Sequence, residues 1–312
     1  MKIYQHISDF TKLNNAVATI GTFDGLHFGH QKIIKRLVEI AAATGGESVV
    51  VTFFPHPRLI IDPENQDLKM INTIKEKAAF LEALGVDHLI ITPFTRDFSN
   101  LTAEEYIKDV LVNTIGIKNL IVGYDHRFGK NRRGGMEELI KYSGSLGYKV
   151  EEIPEQDIQD VAVSSTKIRK ALLSGDVALA AAFLGYNFSL YGRVIKGDKI
   201  GRTIGFPTAN IFIEESYKLI PSDGIYAVTV SMNGETYKGM AYIGQRPTIN
   251  GMTRNIEVNI FDFDKEIYGQ YVTMYFMEFL RHDVKFTGLE ALKEQLKKDK
   301  EETIAYFQKH RL

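Results

Sequence analysis

Through the first half of this chain, strand-like and helix-like segments alternate regularly, and this constrains the fold more than any other feature. A short apolar run at 16–23 ends in a Gly-rich turn. From about Gly29 it gives way to Ile33, Ile34, Leu37, Val38 and Ala41 at amphipathic helical spacing. A second run at 48–54 is rich in β-branched residues. The pattern recurs as helix 74–84, strand 87–91, helix 103–113, strand 119–122, helix 136–143 and strand 149–153. Such alternation predicts an α/β unit, a doubly wound Rossmann-like parallel sheet. Ligands of these sheets bind beyond the carboxyl ends of the strands, where the Gly-containing turns fall.

After Ser164 the pattern changes. Residues 165–174 and 177–184 read as two short helices. From Phe188 to about Leu280 short alternating runs are punctuated by Lys196-Gly-Asp, Pro221-Ser-Asp-Gly, Asn233-Gly and Asn250-Gly. That spacing predicts an all-β unit, a barrel or a sandwich, with the barrel expected here. A terminal helix starts at Leu289, entered through Thr287-Gly-Leu-Glu290 in a capping-box pattern. The expected domains are 1–186 and 187–312.

Composition narrows the function. Hydrophobic residues are 44% and charged residues 25%, the balance of a water-soluble protein. Cysteine is absent, which removes disulfides, thiolate catalysis and Cys-based metal sites. No apolar run approaches the roughly 18–20 residues of a membrane span, and residues 1–10 lack the basic-then-apolar order of a secretory signal. A cytoplasmic location with no membrane partner is expected. The formal net charge is -1, and neither half is strongly basic, so no nucleic-acid partner is expected.

The sharpest local signal is Gly21-Thr-Phe-Asp-Gly-Leu-His-Phe-Gly-His30, lying between a strand and a helix. Backbone N–H groups and the helix dipole favour an anion there. His27 and His30, three residues apart, can both face a triphosphate and stabilise charge developing in displacement at phosphorus. A Gly-rich turn with two surface histidines, or a His-x-x-His metal pair, would fit the same spacing. Three further segments fall at expected strand ends: Thr52-Phe-Phe-Pro-His-Pro57, Gly123-Tyr-Asp-His-Arg-Phe-Gly129 and Ser164-Ser-Thr-Lys-Ile-Arg169. The last offers hydroxyls and a cation at a helix start, suited to a β,γ-phosphate.

In the second half Gly192-Arg-Val-Ile-Lys-Gly-Asp-Lys-Ile-Gly-Arg-Thr-Ile-Gly-Phe-Pro-Thr-Ala-Asn210 holds four glycines that mark turns or close backbone approach. If 207–211 is extended, Thr208 and Asn210 share a face and offer hard oxygen donors to Mg²⁺. Most Thr-x-Asn pairs in turns only bond their own backbone. Glu257 lies in an alternating run where Ile256, Val258 and Ile260 would face the core, leaving Glu257 with Asn259 on the other face. A lone carboxylate there is usually a solvated strand residue; it is also placed to deprotonate a hydroxyl attacking ATP.

His27-Phe-Gly-His30 with Ser165-Thr-Lys-Ile-Arg169 resembles the nucleotidyltransferase superfamily. Together with Phe54-Pro-His-Pro57 and Gly123-Tyr-Asp-His-Arg-Phe-Gly129, the front motif resembles the FMN adenylyltransferase module of the bacterial bifunctional riboflavin kinase/FAD synthetases. The Phe206-Pro-Thr-Ala-Asn210 segment, with Gly244-Gln-Arg-Pro-Thr248 and Ile256-Glu-Val258, resembles their kinase module. The resemblance spans nearly the whole chain in the family's domain order.

It implies phosphorylation of riboflavin to FMN, then adenylylation of FMN to FAD with release of pyrophosphate. ATP is the co-substrate and Mg²⁺ the cofactor. In front, His27 and His30 would act on the ATP phosphates, with Gly21, Phe23, Asp24, Gly29, Ser164, Thr166 and Arg169 around the nucleotide. His56, Asp125 and Phe128 would lie at the flavin-nucleotide end. Behind, Thr208 and Asn210 would hold Mg²⁺ and Glu257 would activate the riboflavin hydroxyl. Gly197, Gly201, Phe206, Pro207 and Arg281 would contact ATP or flavin, with Phe286 in the flavin-end segment. Asn259 and Asp283 depart from the family's usual His and Glu, and neither carries an assigned role in the reaction.

The implied ligands are riboflavin, FMN, FAD and ATP, and a homo-oligomer is compatible with the sequence. A different small-substrate nucleotidyltransferase would leave the Phe206–Asn210 motif unexplained. A flavin- or nucleotide-sensing protein without catalysis is the reading from another class. Turnover of riboflavin and ATP separates it from an enzyme.

Overall fold

The computed structural model describes residues 1–62, 64, 67–154, 163–197, 200–248 and 251–311, without the side chains of 200, 246–248 and 251–253. Two compact units divide the chain, Met1–Ser165 and Thr166–Leu312.

In the first unit a six-stranded sheet has the order β1-β4-β3-β2-β5-β6, with every pairing parallel. The strands are β1 Lys2–Tyr4, β2 Ala16–Ile20, β3 Glu47–Phe53, β4 His88–Thr92, β5 Ile117–Gly123 and β6 Lys149–Ile153. All five residues of β2 are buried, as expected for a central parallel strand covered on both faces. The two-residue period assigns its side chains to opposite cores. Ala16, Ala18 and Ile20 pack with Ile107, Leu111 and Ile115, whereas Val17 packs with Ile34, Leu37 and Leu81. From β2 the chain builds towards β3 and β4 on one side, and from β5 towards β6 on the other. The crevice between the ends of β2 and β5 is therefore the topological switch point.

Two local features depart from expectation. The edge strand β1 was not foreseen. The helix expected at 103–113 starts as Ala103–Glu105, capped by Thr102 and Glu105, and widens into a π-helix at Tyr106–Ile115. Its last turn closes with Gly116 N–H donating to Leu111 O at 3.0 Å, and Gly116 takes φ 81°. The first long helix, α1, covers Phe28–Thr44 and ends on Gly45 at φ 62°.

The second unit holds the helices Ser165–Leu173, which begins on the last residue of the first unit, and Val177–Leu184. Next come β7 Ser189–Ile195, β8 Ala209–Phe212, β9 Gly224–Met232, β10 Glu235–Thr248, β11 Gly251–Ile260 and β12 Tyr271–Arg281. These close into a barrel in the order β10-β11-β8-β7-β12-β9, antiparallel throughout, so the barrel expectation is met and the sandwich is excluded. The β9–β10 turn is the Asn233-Gly signal, with φ 52° and 82°, both in the left-handed region that the tight hairpin needs. The turn signals at Asp198 and Asn250 lie outside the described residues.

The terminal helix is Leu289–His310. Its N-cap is Gly288 with no side-chain cap, so the capping box expected from Thr287 and Glu290 does not form. The expected boundary at 186–187 falls after the two short helices, which the compact division groups with the barrel. Within that unit Ser222 N–H donates to Leu172 O at 3.0 Å.

Two candidate active sites

The loop from β2 to α1 leaves the sheet at Gly21, whose N–H still donates to Val51 O at 3.0 Å. It then takes three left-handed positions, Phe23 (φ 44°), Gly25 (φ 87°) and Leu26 (φ 37°). For Phe and Leu this conformation costs energy and persists only where the surroundings impose it. The imposing contacts are visible. The Phe23 and Leu26 side chains are buried, and the Phe23 ring meets His30 edge-on at 5.3 Å. A side chain at Gly21 would press on the Phe23 ring. The buried Asp24 carboxylate accepts the Ile71 N–H at 3.0 Å, and the Asp24 carbonyl accepts the Ser165 hydroxyl at 2.8 Å.

This loop delivers His27 as the N-cap of α1, in extended conformation and without a capping side-chain bond. The N–H groups of the first turn, which includes the buried Gly29, have no intrahelical acceptors and form an anion site. The rings of His27 and His30 stack at 3.6 Å between centroids. Both Nδ1 atoms are shut off from solvent and have no hydrogen-bond partner among the described residues. Buried orphan nitrogens of this kind cost about 1–3 kcal/mol each and mark a place for a ligand.

Burial pulls the His27 pKa down to about 4, against a partial upward pull from the Asp125 carboxylate. Burial also pushes His30 well below its usual value, and the charges of His27 and Lys77 add to the effect. Both imidazoles are therefore neutral at neutral pH.

A pH dependence follows from these shifts. His27 protonates at about 4 in the folded protein and at 6.5 unfolded, so its contribution is complete above pH 6.5 and is lost as pH falls towards 4. The difference amounts to about 3 kcal/mol. Calorimetric unfolding of the first unit is expected to weaken steeply over that window, and His27→Gln should flatten part of the slope. Identical slopes in both proteins would refute the burial argument.

The remaining predicted front-half residues divide. Asp125 lies just beyond β5, exposed, within electrostatic reach of His27. His56 caps the short helix Pro57–Ile61, its Nδ1 accepting the Arg58 N–H at 3.1 Å. Phe128, expected towards flavin, turns inward instead: it is 6% exposed and stacks on Tyr106 at 4.8 Å, so it anchors the loop. Ser164 precedes the helix at Ser165–Leu173, where Thr166 is exposed and Arg169 half-buried. Lys77 was not singled out from sequence. The signal was a lysine at the apolar spacing of Ile74, Ala78 and Leu81.

In the second unit, β8 and β11 pair so that Asn210 and Glu257 lie opposite one another. Glu257 is 9% exposed, not a solvated strand residue. Its Oε2 accepts the Thr208 hydroxyl at 2.6 Å and its Oε1 accepts Asn255 Nδ2 at 2.5 Å. The glycines have local reasons. A side chain at Gly197 would collide with the Asn210 amide, and one at Gly201 with the Phe206 carbonyl. Asn259 Nδ2 donates to Pro207 O at 2.7 Å, fixing the turn before Thr208.

A cavity of about 350 Å³ opens beside Glu257, lined by Phe206, Thr208, Tyr242, Asn259, Arg281 and Phe286, with Leu292 and Leu296 of the terminal helix. That size suits a small-molecule ligand. Arg281 is held to the fully buried Asp299 by two bonds of 2.7 Å, and its third nitrogen donates to His282 O. The guanidinium lies over the Phe286 ring at 5.9 Å. Asp299 also escaped sequence reading, because only tertiary contact pairs it with Arg281.

Two family models match the chain, one described as FAD synthetase over residues 9–167 and one as riboflavin kinase over residues 184–307. A relative from Listeria monocytogenes, named bifunctional riboflavin kinase/FMN adenylyltransferase, is 39% identical over 98% of both chains. Proteins of the same name from Bacillus subtilis and Escherichia coli K12 are 38% and 34% identical, covering 94% and 98% of this chain and 92% and 98% of their own. A crystal structure from Streptococcus pneumoniae, named a macrolide-efflux protein, matches at TM-score 0.88 and 33% identity over 97% of this chain and 98% of that one. No helix among the described residues is long and apolar enough to cross a membrane.

Proposed function

The chain belongs to the bifunctional riboflavin kinase/FMN adenylyltransferase family, and on that premise we propose that each activity resides in one of the two sites described above. The enzyme makes FAD from riboflavin: it phosphorylates riboflavin to FMN and adenylylates FMN with a second ATP. The single observation that carries the site assignment is the pairing of orphaned buried histidine nitrogens at a helix N-terminus in front with a desolvated, hydroxyl-bonded carboxylate behind.

In the rear site Glu257 is the base. It takes the proton of the riboflavin 5′-hydroxyl as that oxygen bonds to the γ-phosphorus of ATP and the bond to ADP breaks. Thr208 and Asn210, beside Glu257, offer a hydroxyl and an amide oxygen, hard donors that fit Mg²⁺ shared with substrate phosphates. When bound there, the ion neutralises phosphate charge. The cavity between Phe206, Tyr242 and the terminal helix takes the flavin ring, and the Asp299-held Arg281 forms part of its wall.

In the front site a phosphate oxygen of FMN bonds to the α-phosphorus of ATP, and pyrophosphate leaves. The imidazoles of His27 and His30 and the first-turn N–H groups of α1 donate to the charge that develops. Ser164, Thr166 and Arg169 hold the triphosphate on the strength of the sequence motif. Gly21, Phe23, Asp24 and Gly29 shape the cradle, with His56 and Asp125 towards the flavin nucleotide. We place the enzyme in the cytoplasm and its module boundary at 186–187, close to the start of the kinase-family match at 184.

The test is a chromatographic time course with riboflavin, ATP and Mg²⁺: FMN should appear first and FAD after it. A Gly197→Ala protein should phosphorylate riboflavin about 10-fold or more slowly, because the added methyl displaces Asn210, while adenylylating supplied FMN normally. An unchanged phosphorylation rate would separate Asn210 from the reaction.

A further inference from the structure

We propose that Lys77 is a positioning residue of the adenylyl-transfer site, acting through the Thr22 carbonyl to hold the loop that carries His27 and His30. This role presupposes the assignment of that loop to ATP. Lys77 lies on the helix Ile74–Ala83, on the face that buries Ala78 and Leu81, and is itself only 5% exposed. Burying an ammonium costs free energy unless hydrogen bonds and charge compensate it.

The compensation converges on one atom. Lys77 Nζ donates to Thr22 O at 2.6 Å and to Thr52 Oγ1 at 3.2 Å, and Thr52 Oγ1 itself donates to Thr22 O at 3.1 Å. Thr22 directly precedes the first left-handed residue, Phe23, whose ring abuts His30. A buried cation and the end of β3 thus grip the chain at the point where it leaves the sheet to form the strained loop.

The charged and titratable groups around the ammonium are Asp24 on the loop and His30 on α1, with His27 and Asp125 beyond His30. Asp24 attracts the ammonium, while burial draws its pKa down to about 8. At neutral pH the group is largely charged and favours the neutral form of His30.

Three single variants test this: Lys77→Met, similar in length without the charge; Thr52→Val, which removes only the hydroxyl; and His30→Ala. Each is assayed for FMN adenylylation, with riboflavin phosphorylation as the control in the same chain, and thermal unfolding monitors folding. The His30 imidazole is titrated by ¹⁵N NMR in the first two. Lys77→Met is expected to lower kcat for adenylylation about 100-fold with little change in KM for ATP, since a loop displaced by about 1 Å has that effect. It should also raise the His30 pKa. Thr52→Val should show the same split at about 10-fold.

Wild-type kcat in Lys77→Met overturns the role. If Lys77→Met does not fold, full activity of Thr52→Val overturns it, and a kcat loss there supports it. Normal adenylylation by His30→Ala would instead overturn the assignment of the loop itself.

Discussion

Glu257→Gln is expected to lower riboflavin phosphorylation by about 10²–10⁴-fold, the contribution of a positioned general base, while FMN adenylylation continues unchanged. The substitution is nearly isosteric. It replaces an acceptor of the Thr208 hydroxyl with an amide and removes the only carboxylate among the described residues lining the cavity beside Thr208 and Asn210, other than Asp283, which accepts the Tyr242 hydroxyl. Riboflavin has no charge for Glu257 to bind, so its KM should change far less than kcat. The check is steady-state kinetics of both half-reactions on one preparation. A small kcat effect with a large rise in KM would make Glu257 a binding residue rather than the base.

His30→Ala is expected to lower FAD formation from supplied FMN by about 10²–10³-fold, the range for removing one donor to a developing oxyanion. Riboflavin phosphorylation should proceed at its normal rate. The effect has two sources in the structure: loss of an imidazole whose buried nitrogen has no hydrogen-bond partner among the described residues, and loss of the ring that stacks on His27 at 3.6 Å and meets Phe23 edge-on. Because burial keeps both imidazoles neutral, binding a triphosphate should draw protons onto them near pH 6. Calorimetry of ATP binding in buffers of different ionisation enthalpy should then show proton uptake that His30→Ala diminishes. Uptake unchanged by His30→Ala would assign the protons elsewhere.

The central parallel strands were legible because burial on both faces demands continuous β-branched runs such as Val49-Val-Val51. The edge strand at Lys2–Tyr4 was not, since three residues with an exposed Ile3 carry no period. The widened helix at Tyr106–Ile115 buries Tyr106, Ile107, Leu111 and Ile115, a spacing that reads as an ordinary helix; the wider turns show only in backbone bonding. The terminal capping box failed because the helix begins one residue later than Thr287 requires, leaving Gly288 as the cap.

The sites were legible where glycine, histidine and proline cluster locally. They were illegible where a residue acts across the fold. Lys77 reaches Thr22 and Thr52 over 55 and 25 residues, and Asp299 reaches Arg281 over 18. Phe128 belonged to a recognisable motif, yet its ring supports the loop from inside the core.

The independence of the two sites is tested most directly by mixing the two inactive proteins. Glu257→Gln and His30→Ala are each supplied with riboflavin, ATP and Mg²⁺, alone and together, and products are resolved by chromatography. Alone, the first should yield neither FMN nor FAD above trace, and the second should stop at FMN. Together they should make FAD, because FMN formed by the His30→Ala protein is adenylylated by the Glu257→Gln protein. A mixture that makes no FAD, although Glu257→Gln adenylylates supplied FMN, would show that FMN does not leave the chain that makes it. Loss of both activities from either folded variant would contradict the assignment of two separate sites.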